Sequence, residues 1–108
     1  MSQFATLDTL AATIATRAEA DPTQSYAAKL LSRGAARIAK KLGEEAVEAA
    51  IAAAQGHRDE VISESADLLF HLLVLWQAMG IPATEVMDEL QRREAMSGLE
   101  EKASRPPE

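Results

Sequence analysis

Five acidic residues in two neighbouring stretches are the part of this chain best equipped for chemistry. Glu44, Glu45 and Glu48 lie in one stretch, Glu64 and Asp67 in the next. Glu45-x-x-Glu48 and Glu64-x-x-Asp67 each set two carboxylates one helical turn apart, so two antiparallel helices can turn four of them toward one pocket. Clustered carboxylates repel one another, and one held away from water without a partner takes up a proton. A divalent cation between them removes both penalties. Ligands made only of oxygen suit Mg²⁺, or Mn²⁺, better than zinc.

The helical wheel separates this reading from a plainer one. At about 100° per residue, with Ile38 as zero, Leu42, Glu45, Ala49 and Ala52 fall within about 40°. Glu45 then sits in the middle of an apolar stripe. Glu48 lies about 60° from it, and Glu44 about 100° away on the same side. In the second stretch Glu64, Asp67 and His71 share a stripe with Leu68 and Leu75, beside Leu72, Trp76 and Met79. Four carboxylates are therefore expected to point inward. The plainer reading is a solvated stripe with helical ion pairs such as Lys41–Glu45. A di-iron site fits poorly, since it uses Glu-x-x-His pairs and His71 follows Asp67 by four and Glu64 by seven. His71 reads as a hydrogen-bonded core histidine and His57 as a solvated residue at a helix entry.

Cations matter if the ligand is an anion. Lys41 falls between Glu45 and Glu48 on the wheel, where it can touch a phosphate or merely pair with Glu45. Lys29, Arg33, Lys40, Lys102 and Arg105 are further candidates, each alone reading as surface charge. No Gly-rich phosphate loop, His-Glu-x-x-His or nucleophile elbow is present.

The elements that must position these residues are helices. Apolar spacing predicts one from about Gln3 to Ala20, ended by Asp21-Pro22. A short piece from Ser25 to Leu31 follows, capped by Ser25, before a turn at Ser32-Arg33-Gly34. Long helices are expected from Ala35 to Gln55, ended by Gly56, and from Asp59 to Met79, ended by Gly80. A last one opens at Pro82 or Ala83 and ends near Met96. The segment from Leu99 to Glu108 reads as a mobile tail. No stretch alternates with the period of a strand, so the expected fold is all-α, a bundle built on four helices, in a single domain spanning 1–108.

Composition narrows the function classes. The 108 residues hold 47% apolar and 26% charged side chains, 22 alanines and no cysteine, at a formal charge of −6. An acidic chain without a basic block is poorly suited to nucleic acid, whose binding rests on Lys and Arg neutralising phosphates. Lack of cysteine excludes a disulfide scaffold, a thiol nucleophile and Cys-ligated zinc. The longest uncharged run, Leu68 to Thr84, is shorter than the roughly 20 apolar residues of a membrane span. With no secretory signal visible, a cytoplasmic protein is expected. So short a chain buries a small core, which favours self-association.

Lys41-Leu42-Gly43-Glu44-Glu45-Ala46-Val47-Glu48, followed by Glu64-Ser65-Ala66-Asp67-Leu68-Leu69-Phe70-His71-Leu72-Leu73, resembles the phosphoribosyl-ATP pyrophosphohydrolases, within the all-α nucleoside-triphosphate pyrophosphohydrolase superfamily. Ser25-Tyr26-x-x-Lys29-Leu30-Leu31, Ser32-Arg33-Gly34 and the tail from Ser97 to Arg105 extend the likeness over about residues 25–105. Ala35-Ala36-Arg37 lacks the proline that usually follows the Ser-Arg-Gly turn. The resemblance implies hydrolysis of phosphoribosyl-ATP to phosphoribosyl-AMP and pyrophosphate, the second step of histidine biosynthesis. It implies Mg²⁺ on Glu45, Glu48, Glu64 and Asp67, with Glu44 a further catalytic acid that supports these ligands, binds another metal or acts as the water's general base. It implies Lys41 and Lys29, then Lys102 and Arg105, as phosphate ligands, the last two from a tail that folds over the substrate. A homodimer is expected, in the stand-alone form that lacks the following cyclohydrolase. The alternatives are a house-cleaning pyrophosphohydrolase, which the tail disfavours, and a non-catalytic helical association module.

Overall fold

The structure, a computed structural model, describes residues 3–95 and 98–107, and among these it is all-helical. Six helices follow one another: α1 (Ala5–Arg17), α2 (Tyr26–Arg33), α3 (Ala35–Ala54), α4 (Arg58–Met79), α5 (Ala83–Glu94) and α6 (Gly98–Ser104). Asp21 ties the first turn, accepting hydrogen bonds from Thr23 N–H at 2.9 Å and from its hydroxyl at 2.8 Å. Ser25 caps α2 by accepting from Ala28 N–H at 3.2 Å. α2 continues through Ser32 and Arg33, where a turn was expected. Only Gly34, with φ +91°, makes the corner into α3. α4 stops at Gly80, whose left-handed backbone lets Ile81 N–H reach back to Trp76 O at 2.9 Å.

α3 and α4 carry the acidic motif and form the main packing of the bundle. A short turn joins them, so they run antiparallel side by side. Ile38 from α3 and Leu73 and Val74 from α4 bury against Ile14 of α1 and Ala27 and Leu30 of α2. Phe70, Trp76 and Leu10 pack around this cluster. By length and composition alone, α4 is long and apolar enough to cross a membrane. That measure tolerates charges which the uncharged-run count did not. Glu64 and Asp67 on α4, and its packing along α3, make it a bundle helix.

α5 behaves differently. None of its residues is buried. Its Val86, Met87 and Leu90 face Phe4 and Leu7 of α1 and Leu69 and Trp76 of α4 across a groove of about 800 Å³. The radius of gyration, 15.9 Å, exceeds the roughly 13 Å of a compact chain this long. One chain leaves this face unfilled.

The expectation of a structureless tail is corrected by α6. Its Glu101 is buried, 4% exposed, among three arginines. Arg105 binds it through Nε at 2.8 Å and Nη2 at 2.6 Å, while Arg92 and Arg93 of α5 lie at 3.6 and 3.5 Å. Leu99 is 82% exposed, so charge rather than apolar burial docks this helix. The tail looked mobile in sequence because two of the three arginines around Glu101 come from another element, α5. The expected helix end at Met96 lies outside the described residues.

The guanidinium of Arg105 foremost holds the Glu101 carboxyl below its ordinary value. The docking it gives is therefore present above the unfolded value and is lost as pH falls through the folded one. Glu101→Ala is expected to free α6, so that trypsin cuts after Lys102 about tenfold faster with the bundle intact. Limited proteolysis followed by mass spectrometry reads this directly.

Candidate active site

Glu45 and Glu48 stand on one turn of α3 because three residues nearly complete a turn. Glu64 meets them from α4 because the antiparallel packing brings its first half alongside. One carboxyl oxygen from each of the three lies within 4.8 Å of the others. Glu45 and Glu64 are half-buried, whereas Glu48 is exposed. Asp67 is exposed and outside this group. Glu44 turns away to line a neighbouring cavity.

The expectation of four inward carboxylates needs correcting on depth. A wheel gives the angle of a side chain about its own helix and not how far the neighbouring helix covers it. The buried contacts of α3 are made at Ile38 and Ala52, on either side of the motif. Between them the carboxylates open onto a partly solvated edge.

Electrostatics at that edge is unfavourable without a cation. Glu64 Oε2 is shut off from solvent and accepts no hydrogen bond. Its nearest polar neighbours are themselves acceptors, so relief requires a proton shared between two carboxyls. Sharing with Glu45 first, then desolvation and the proximity of Glu48, pushes Glu64 up to about 7. An orphaned oxygen facing two more carboxylates fits an oxygen-ligated divalent ion.

His71 supports the site from beneath and is buried, as its position on α4 suggested. Its Nδ1 donates to Asp67 O at 2.8 Å, which leaves Nε2 to accept from the Tyr26 hydroxyl at 3.4 Å. Tyr26 also stacks on Phe70, centroids 5.8 Å apart. These contacts tie α2 to α4 beside the carboxylates.

Next to the acids lies a cavity of about 440 Å³, walled by Tyr26, Arg33, Arg37, Lys40, Lys41 and Glu44 among others. Among the described residues none of its four cations is in an ion pair, so the expected Lys41–Glu45 pair is not formed. Lys29 lines a separate depression with Ser25 and Tyr26. Lys102 and Arg105 do not line the basic cavity, and the Arg105 guanidinium is held by Glu101. Arg37 was missed in the sequence reading. Its signal was its spacing, four residues before Lys41 and three before Lys40 on one helix.

Carboxylates gathered for a cation beside unpaired cations suited to an anion are the layout of an enzyme that cleaves a polyphosphate. The sequence profile of the family "Phosphoribosyl-ATP pyrophosphohydrolase" matches residues 7–94. The chain is 57% identical over 101 residues to a phosphoribosyl-ATP pyrophosphatase of Rhizorhabdus wittichii, covering 94% of this chain and 95% of that one. It is 59% identical to the phosphoribosyl-ATP pyrophosphatase of Methylobacterium radiotolerans over 94% and 95% of the two chains. With that of Allorhizobium ampelinum the identity is 56% over 97% of this chain and all of the relative. The chain belongs to the phosphoribosyl-ATP pyrophosphohydrolase family, and is a hydrolase of a pyrophosphate bond.

The raised value of Glu64 has a measurable consequence in metal-free protein. Between its unfolded value, 4.5, and about 7, the folded chain holds a proton that the unfolded chain has lost. Stability on account of Glu64 is therefore full below 4.5 and declines as pH rises to about 7. In EDTA, the melting temperature of wild type relative to Glu64→Gln is expected to fall across that window. A difference independent of pH there would contradict the shared-proton arrangement.

Proposed function

We propose that this protein hydrolyses phosphoribosyl-ATP to phosphoribosyl-AMP and pyrophosphate in histidine biosynthesis, with Mg²⁺ at the Glu45–Glu48–Glu64 cluster. Family membership supports the reaction. The orphaned oxygen of Glu64 among acceptors is the observation that supports the ion. Mn²⁺ would be accepted by the same oxygen set.

A divalent ion there supplies charge neutralisation at the phosphates and an activated water. Glu45, Glu48 and Glu64 would hold it, and Asp67, one turn beyond Glu64 on α4, is the fourth acid of the motif. Glu44 sits against the substrate cavity and not among the ion's ligands. Lys41, one turn before Glu45 at the cavity wall, is placed to hold the departing phosphates. His71 and Tyr26 keep α4 and α2 in register around the bond to be cut.

A homodimer completes the assembly in this reading, the second copy covering the groove between α5 and α4. The support is the unfilled 800 Å³ groove, with Phe4 79%, Leu90 50% and Leu69 44% exposed. Leu90→Glu is expected to shift the protein from dimer to monomer in sedimentation velocity. A dimer unchanged by Leu90→Glu would place the interface elsewhere.

The activity test is pyrophosphate release from phosphoribosyl-ATP with and without Mg²⁺. Glu45→Gln and Glu64→Gln should each lower kcat/KM by at least about 100-fold and abolish the Mg²⁺-linked rise in melting temperature. Equal release from ordinary nucleoside triphosphates would assign the protein to house-cleaning hydrolysis instead.

A further inference from the structure

We propose that the basic cavity is a selectivity subsite, in which Arg33 and Arg37 hold the phosphate ester at the far end of phosphoribosyl-ATP. This rests on the reading above and adds to it the means of telling this substrate from a plain nucleoside triphosphate.

Three observations carry it. The cavity gathers Arg33, Arg37, Lys40 and Lys41 against a single acid, Glu44, in a chain whose formal charge is −6. None of the four cations is ion-paired among the described residues, although carboxylates abound elsewhere on the surface. Arg37 also stands in the first turn of α3, which has no acid there and no side-chain cap. The helix dipole makes that end positive, so a cation there is unfavourable until an anion joins it. Repulsion of this kind is tolerated where a polyanion relieves it.

Position along α3 decides which anion. Arg37 precedes Glu45 by eight residues, about 12 Å along the axis, whereas Lys41 precedes it by about 6 Å. The phosphates flanking the bond to be cut adjoin the carboxylate cluster, within reach of Lys41. The ester phosphate of phosphoribosyl-ATP lies beyond a purine and two riboses, at the other end of the molecule. Arg33, on the last turn of α2, and Arg37 both line the cavity. Two guanidinium forks match a phosphate's oxygens in a way that scattered lysines do not. A plain nucleoside triphosphate has nothing to place there.

Calorimetric titration with phosphoribosyl-AMP and with AMP, on wild type, Arg33→Gln and Arg37→Gln, tests the subsite. Wild type should bind phosphoribosyl-AMP more tightly than AMP. Each substitution should weaken phosphoribosyl-AMP by roughly 10- to 100-fold, the range for losing one charge-assisted hydrogen bond, and bring its affinity toward that of AMP. Arg37→Lys should restore part of the difference. In parallel, the ratio of kcat/KM for phosphoribosyl-ATP over ATP should fall by a similar factor. Equal weakening of both ligands, equal loss on both substrates, or no change at all would overturn the assignment. Should wild type fail to turn over phosphoribosyl-ATP, the proposed reaction falls, while the two-ligand comparison still decides the cavity.

Discussion

Everything at this site depends on three carboxylates being held together against their own repulsion. Oxygens of Glu45, Glu48 and Glu64 lie within 4.8 Å of one another, and one of them finds neither water nor a donor. Left to themselves such groups separate or take up protons. They stay because the antiparallel packing of α3 and α4 fixes the backbones that carry them. The remaining elements brace that pair: α1 and α2 bury Ile14, Ala27 and Leu30 against it, and the Tyr26–His71 contact ties α2 to α4 next to the acids. The energy that assembles the core is thereby committed to holding a locally unfavourable arrangement.

The charge pattern of α3 is the second organising feature. Going from its start, the helix presents Arg37, then Lys40 and Lys41, then Glu44, Glu45 and Glu48. This order runs against the helix dipole at its first turn, where a cation is least welcome. One helix therefore offers a positive half and a negative half side by side. The two halves meet where Lys41 and Glu44 stand within one turn of each other.

Much of this was legible in sequence, and the gaps have physical causes. Gly56 and Gly80 marked helix ends because each takes a left-handed backbone, whereas α1 stops at Arg17, short of the Ala20 expected from Asp21-Pro22. Spacings of three residues put Glu45 with Glu48 on one face, and periodicity placed α3 and α4. Depth was not legible: Glu48 and Asp67 lie on stripes that look apolar on a wheel but are left uncovered by the neighbouring helix. The cationic wall was only half visible, since Lys41 stood beside the motif while Arg37 gained meaning from the corner at Gly34. The tail helix was missed because its anchor, Glu101, besides its close i,i+4 pair with Arg105, is held by Arg92 and Arg93 of another helix. Ion pairs between separate elements leave no periodic trace.

The 22 alanines also bear on the packing beside the site. Ala52 is buried one turn beyond Glu48, near the end of α3 where the chain doubles back into α4. The side chain in that buried place is only a methyl group, and a close-packed interior leaves little slack around it. A bulkier side chain would wedge the helices apart like a shim in a calliper. An apolar residue outside the carboxylate cluster thus bears on the spacing of the helices that carry it.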